Sequence, residues 1–377
     1  MRTGTAFYTR NLALALQDHG HKVDVVTLGD VGTGIDDGLI VHRLAAASLP
    51  LAGFFKHFRL CAWHPANWWR LYRIAKHSGV EAILLVNHYL DIAFPARFAA
   101  WLNQVPLVCS VGTQLQSLNP RRNRILNILD RLVCGLLVFP GCSRVVAWDT
   151  QIRQYLQDVH GKQILRKVVI VNYGVNGDHN RLMSRRRDCE ADDVILGVGS
   201  VSEQRSFLPL VQAFAHLAPK YPRLRLRIVG HIYYDAALSL AAELGLADRI
   251  EFMGEIPHEQ AIDEMQRATM FYSSLTGQYV GLGTATIEAM LLGLPTVVNT
   301  PLDLLGTGVL VDRQHLIQCT SGDPAEIADH LELLLIDADL RCRVGEGGRA
   351  FVNQYLNWDI VAQQMASVLR QAADEAR

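Results

Sequence analysis

The segment GLGTATIEAM, beginning at Gly281, joins a glycine pair to a helix-forming run. Gly281 and Gly283, with Leu282 between them, let bare backbone N–H groups come close to a ligand. A helix opening at Thr284 aims the positive end of its dipole at the same spot, which suits a phosphate. Glu288 stands four residues on, where its carboxylate can accept hydrogen bonds from the vicinal hydroxyls of a ribose. A plain glycine turn before a helix with a solvated glutamate has the same pattern. A second segment, VGSVSEQRS, follows the apolar run 194–198. Gly199 and Ser200 form its end turn, where ligands sit in open α/β sheets. Arg205 can pair with a diphosphate and offset charge on a leaving group. Next to Glu203 it also reads as an ordinary surface arginine.

Such groups need a scaffold that brings loop ends together. In the second half, β-branched apolar runs at 194–198, 224–229, 250–253, 270–273 and 295–299 read as strands. The runs between them, at 207–217, 236–244, 258–267 and 284–292, read as helices. Strand–helix–strand units of this length imply parallel sheets. The first half has strand-like runs at 23–28, 82–86, 106–111 and 144–148, and a helical run at 8–19 closed by Gly20. Turn formers and charge concentrate between Asn172 and Asp193. The reading is therefore an N-terminal domain at 1–175 and a C-terminal domain at 176–377, the latter with a helical tail free to pack back on the first.

A chain of 377 residues exceeds the roughly 250–300 at which one core stops growing. Apolar residues make up 50% and charged residues 19%, which excludes a disordered chain. No run reaches the ~18 apolar residues of a membrane span, and the N-terminus lacks a signal core. Seven cysteines without a C-x-x-C pair read as reduced thiols of a cytoplasmic protein rather than a disulfide frame or zinc site. Residues 1–170 hold 19 basic and 10 acidic side chains, against 17 and 27 in the remainder. A basic half and an acidic half suggest different partners for each.

The segments NLALALQDHGHKVDVVT, KVVIVNYGVNGD, LGVGSVSEQRSFLPLVQAF, LRIVGHIYYDAALSLAAELGLADRIEFMGEIPHEQ and GLGTATIEAMLLGLPTVV, in this order and spacing, resemble glycosyltransferase family 4. That family has the GT-B fold, two Rossmann-like domains facing across a cleft, and its members are retaining enzymes. The resemblance implies that Glu288 is the second glutamate of an E-x7-E signature and holds the donor ribose. Arg205 takes the place of a basic residue, usually Lys, that contacts the donor diphosphate. Gly281 and Gly283 match the loop that cradles sugar and phosphate. Glu255, Ile256 and Pro257 fall where the family binds the nucleobase, and Gly4 matches a glycine of the N-terminal loop on the acceptor side. The chain departs from the pattern at Val280, where the first glutamate of the signature belongs. It departs again at Ser200 in place of an arginine and at Val111 in place of a histidine. The N-domain also lacks the family's first strand.

His88, in LLVNHYLD at the end of a strand run, is the remaining polar candidate for catalysis in the N-domain. It could contact acceptor or donor sugar, and a strand-end histidine is also a common structural choice. Asp337-Ala338-Asp339 spells D-x-D but lies in a helical tail, so no metal site is read there. Residues 53–77 interleave Phe54, Phe55, Phe58, Trp63, Trp68, Trp69 and Tyr72 with five basic residues, and Arg121, Arg122 and Arg124 add charge. This suits peripheral contact with an anionic membrane, the same composition can bind single-stranded nucleic acid, and an interdomain face that is aromatic because it packs has it too. The expectation is a metal-independent retaining glycosyltransferase with a nucleoside-diphosphate sugar as substrate and no cofactor. Its acceptor is a glycan or lipid-linked molecule, with no nucleic acid involved, and its place is the cytoplasm or the inner face of the membrane. A catalytically inactive scaffold relative, motivated by Val280, Ser200 and Val111, is the alternative. A nucleotide-sugar 2-epimerase of the same architecture is a further one.

Overall fold

The computed structural model describes residues 4–48, 59–88, 91–115, 117, 119–175, 193–203, 205–273, 275 and 279–376. The chain forms two compact units, Met1–Gly174 with Trp358–Arg377, and Val175–Asn357. The stretch from Trp358 onward thus belongs with the first unit.

The first described element is helix α1 (Gly4–Asp18), followed by β1 (Asp24–Leu28), β2 (Gly32–Asp36) and β3 (Leu39–Leu44). Asp37 and Gly38 link β2 to β3 with φ of 48° and 83°. Two positive-φ residues at a hairpin tip match the strand twist, and Asp-Gly supplies them cheaply. β3 also pairs in parallel with β1, giving the order β1-β3-β2. A short pair, β4 (Ala47–Ser48) and β5 (Arg59–Leu60), precedes helix α2 (Pro65–Ser78). Gly79 stops α2 in the left-handed conformation, as glycine commonly does at this position.

A four-stranded parallel sheet then runs in sequence order: β6 (Ile83–Val86), β7 (Leu107–Val111), β8 (Arg144–Ala147) and β9 (Val168–Ile170). Helices α3 (Ala93–Asn103), α4 (Pro120–Val133) and α5 (Thr150–His160) fill the connections. Asn119 caps α4 by accepting from the backbone N–H groups of Arg121 and Arg122, and Asp149 caps α5. Both offset donors that a helix start leaves unpaired. No strand precedes α1 among the described residues, and β1 and β6 are end strands of separate sheets.

The second unit carries β10 (Val194–Val198), β11 (Arg225–Val229), β12 (Ile250–Gly254), β13 (Met270–Ser273), β14 (Thr296–Val298) and β15 (Ile317–Gln318). They form one parallel sheet in the order β12-β11-β10-β13-β14-β15. Its helices are α6 (Leu208–Leu217), α7 (Ala236–Glu243), α8 (His258–Arg267), α9 (Thr284–Leu291), α10 (Pro324–Ile336) and α11 (Ala338–Tyr355). Successive strand residues face opposite ways. Ile195, Leu226, Ile228 and Met270 pack against α6, α7 and α10. Val194, Leu196, Val229 and Phe271 pack against α8 and α9. Burial of both faces explains why β10, β13 and β14 read as continuous apolar runs, while β11 and β12 toward the sheet edge carry the half-buried Arg225 and Arg227 and the exposed Glu251.

The last helix, α12 (Trp358–Ala376), opens with Trp358. Its indole is 6% exposed and stands 5.5 Å, ring to ring, from both Tyr8 and Tyr173. A methyl group on Gly174 would come within 2.7 Å of the indole, so the glycine makes room for the ring. Trp358→Ala should lower the unfolding free energy of the first unit by about 3–5 kcal/mol. Denaturant melts of the full chain test this, and an unchanged midpoint for that unit contradicts it.

Candidate functional site

Strand order reverses at β10. The chain runs outward through β11 and β12 on one side and through β13, β14 and β15 on the other. Where an open parallel sheet reverses in this way, the loops leaving neighbouring carboxyl ends diverge and open a crevice. The loops leaving β10 and β13 flank that point, and they contain the two segments singled out from sequence.

Backbone contact shapes the crevice. Gly199 ends β10 with φ 144°, and its N–H donates to the Val229 carbonyl at 2.8 Å. Gly230 ends β11 with φ 147°. Any side chain on Gly230 would collide with the carbonyl of Gly199. The Gly230 N–H in turn donates at 2.8 Å to Gly254, where β12 ends. Val201 is tied to the next loop by hydrogen bonds with His231 and Tyr233, both 2.9 Å. Ser202 and Arg205 exchange two backbone hydrogen bonds of 3.1 Å, closing a tight turn.

That turn directs Arg205 back over Gly199, where an added methyl group would strike the guanidinium. On its other side, one guanidinium nitrogen lies 3.7 Å from the point where a Gly283 side chain would begin. Arg205 therefore sits between the two glycine loops. Its Nε is buried and meets no acceptor among the described residues. Loss of solvent holds its pKa below the usual value. A buried guanidinium nitrogen with an unused donor is costly alone and favourable beside an anion.

Gly283 is the residue before α9, and Thr284 opens that helix exposed. Gly281 and Leu282 precede it half-buried, and the Gly281 carbonyl accepts from Thr300 Oγ1 at 3.4 Å. Glu288 lies in the second turn of α9 and is largely covered. Its Oε1 is 2.8 Å from Nε2 of His258, the first residue of α8. Sequence reading missed His258, which is thirty positions from its partner and on another helix. Glu255 is exposed and pairs with His231 at 3.4 Å, while Ile256 tucks against the core and Pro257 is exposed ahead of α8. Ser200 is exposed immediately after Gly199, and Val280 is half-buried before Gly281.

Two family models cover nearly the whole chain. The model described as Glycosyltransferase Family 4 matches residues 2–179, and that for glycosyl transferases group 1 matches residues 183–351. The chain belongs to glycosyltransferase family 4. This glycosyltransferase is 27% identical over 328 residues to mannosylfructose-phosphate synthase of Agrobacterium fabrum, covering 78% of the chain and 71% of that protein. Its fold matches sucrose-phosphate synthase of Thermosynechococcus elongatus with TM-score 0.74 at 19% identity, over 99% of this chain and 94% of the other. It also matches Anabaena HepE in complex with UDP and glucose, with TM-score 0.71 at 16% identity, over 98% and 96%. The fold is GT-B.

In the first unit of the glycosyltransferase, one expectation is corrected. His88 is 1% exposed, with Nε2 3.2 Å from Asp130 Oδ1 and 3.1 Å from the Tyr155 hydroxyl. The Tyr155 hydroxyl also donates to Asp130, and His160 Nε2 lies 3.2 Å from the same carboxylate. Burial alone would raise the carboxyl group of Asp130. Hydrogen bonds from His160 and His88 more than reverse this and hold it well below the usual carboxylate range. A histidine closed inside such a network has no surface to offer a sugar. Cys134 lies within 4.8 Å of the same His88 and Asp130 atoms, though the carboxylate already has three partners.

Other expected positions are plainer. Gly4 is the first residue of α1, and Val111 ends β7 fully buried. Asp337 caps α11 by accepting from Leu340 N–H at 2.8 Å, and Asp339 lies in the first turn of that helix. Trp68 is turned inward, donating to the Ala62 carbonyl at 2.7 Å and meeting Phe98 edge-on, while Trp69 is exposed. Phe54, Phe55 and Phe58 lie outside the described residues. The six described cysteines are free. No helix among the described residues is long and apolar enough to cross a membrane.

The Glu288–His258 pair carries a pH signature. The hydrogen bond to Glu288 raises the His258 pKa, and burial opposes it less strongly. A raised histidine stabilises the fold fully below its unfolded pKa of about 6.5 and loses that contribution as pH climbs through its folded value. The melting temperature of His258→Gln should fall below that of the native chain at mildly acid pH, with the gap closing as pH climbs through the raised folded value. A gap that does not vary with pH contradicts the pairing.

Proposed function

We propose that the second unit binds the nucleoside-diphosphate sugar and that the protein transfers its sugar with retention, without a metal ion, to a glycan or lipid-linked acceptor. The observation carrying this reading is Arg205, a half-buried guanidinium with an unused donor, held between Gly199 and Gly283. A diphosphate bridging Arg205 and the N-terminus of α9 supplies the missing acceptor. Glu288 then takes the ribose hydroxyls, with His258 holding its Oε1, and Glu255 to Pro257 border the base. A nucleotide as ligand is in keeping with the structural relative from Anabaena, which was solved in complex with UDP and glucose.

Transfer breaks the bond between the anomeric carbon and the diphosphate oxygen and forms one to an acceptor oxygen. Negative charge grows on the departing diphosphate, where Arg205 and preorganised N–H groups stabilise it most strongly. The acceptor proton passes to the leaving phosphate, so no side chain of the protein needs to form a covalent intermediate. Val280 leaves the transferred sugar without the carboxylate contact that a glutamate would give, so its recognition falls to the backbone of Gly281–Thr284. The excess of basic residues in the first half suits an anionic acceptor.

Thermal melts with UDP, GDP, ADP and phosphate test the donor site. A diphosphate at 100 times its Kd should add about 2.7 kcal/mol of stability, and Arg205→Ala and Glu288→Ala should each abolish the shift. No shift with any nucleotide would leave a scaffold role as the better reading. Turnover should persist in excess EDTA, and a strict divalent-ion requirement would overturn the metal-free step.

A further inference from the structure

Helix α4 and the wide turn after it, Cys134–Val138, are built inside out. Leu126, Asp130, Cys134 and Val138 recur every four residues and form the buried stripe. Half of that stripe is polar or polarisable. The outward side is apolar: Ile125, Ile128 and Leu132 are each 52% exposed, Leu136 is 64% and Leu137 is 50%. Leu129 and Val133 are exposed between them. An ordinary surface helix has the reverse arrangement, and single exposed apolar residues are common where a run of this kind is not.

The inversion is enforced from within. Asp130 is engaged by Tyr155, His88 and His160, and Arg131 Nε donates to the Val159 carbonyl at 2.7 Å. Rolling the helix to bury its leucines would strip the carboxylate of all three partners. The turn is anchored as well, since Arg97 of α3 donates to the Leu137 carbonyl. One helical turn beyond Arg97, Trp101 is 72% exposed.

Charge identifies the occupant. Arg121, Arg122 and Arg124 are exposed at the start of the helix, and the only acid in 120–140 is the buried Asp130. A second copy of this face would offer those arginines no carboxylate from the segment itself. A bilayer rich in anionic headgroups offers phosphates to the arginines and acyl chains to the leucines. We propose that the outward face of α4 and its following turn is a docking surface for an anionic lipid bilayer, with the helix lying in the plane of the interface. The assignment is independent of the donor site on the other unit.

The test is co-sedimentation of the full chain with vesicles of phosphatidylcholine alone and with about a third phosphatidylglycerol. The native protein should pellet with the anionic vesicles and be released by salt. Ile128→Asp with Leu132→Asp, and separately Arg121→Glu with Arg122→Glu and Arg124→Glu, should each reduce partitioning by about tenfold or more. Both variants should keep the native melting temperature and the nucleotide-induced shift. Leu136→Ser, outside α4, should give an intermediate loss if the aspartates disturb folding. Native protein that stays in solution with anionic vesicles overturns the proposal, as does equal binding by the variants. A native dimer that Ile128→Asp converts to monomer, without vesicle binding, assigns the face to a second copy instead.

Discussion

The Gly199 carbonyl occupies the space in which a side chain on Gly230 would have to begin, and the loops at the carboxyl end of the second unit's sheet are arranged around that contact. Two parallel strands ordinarily end in loops that side chains hold apart. Here the loops after β10 and β11 touch through backbone, and a further hydrogen bond carries the arrangement to Gly254 at the end of β12. Arg205 can lie across Gly199 only because no methyl group stands there. Both strand-end glycines have φ near 145°, a conformation that other residues rarely adopt. An alanine at Gly199 would displace the guanidinium, whereas one at Gly230 would push on the Gly199 backbone itself.

Two ionic centres among the described residues, the buried Asp130 and the half-buried Arg205, solve opposite problems. Asp130 is enclosed by two histidines and a tyrosine, which make it a fixed post around which α4 and α5 are set. Arg205 has fewer partners than it needs, since its Nε lacks an acceptor among the described residues. A satisfied charge contributes to architecture. An unsatisfied one raises the energy of the empty site and lowers it again when an anion arrives. The same physical chemistry thus separates a closed structural network from a cation that can receive an anion, with no appeal to position in the sequence.

That separation also marks what could be read before the fold was known. Arg205, Glu288 and the Gly281–Gly283 pair were legible because their chemistry is local: a strand-end turn, a helix start, and a carboxylate one turn inside it. The central strands of the second unit, β10, β13 and β14, were legible as apolar runs, a direct result of burial on both faces. His88 was misread because its environment comes from Asp130, Tyr155 and His160, none of which is near it in sequence. His258 was missed for the same reason. Asp37-Gly38 did announce the β2–β3 hairpin in its residue types, but short strands beside it hid the signal. In α4 only the three arginines drew notice, and it is the fold that shows its apolar side facing out.

The division of the chain has a consequence for how the molecule is made. Residues 175–357 are inserted within the first unit, whose final helix comes from the chain beyond them. On a ribosome, which releases the chain from its N-terminus, the second unit is therefore available to fold first. The first unit must wait for Trp358 to emerge and reach Tyr8, Tyr173 and Gly174. During that interval the place later filled by the indole is exposed to water, and the newborn protein depends on its last helix to close a unit whose other parts were synthesised first.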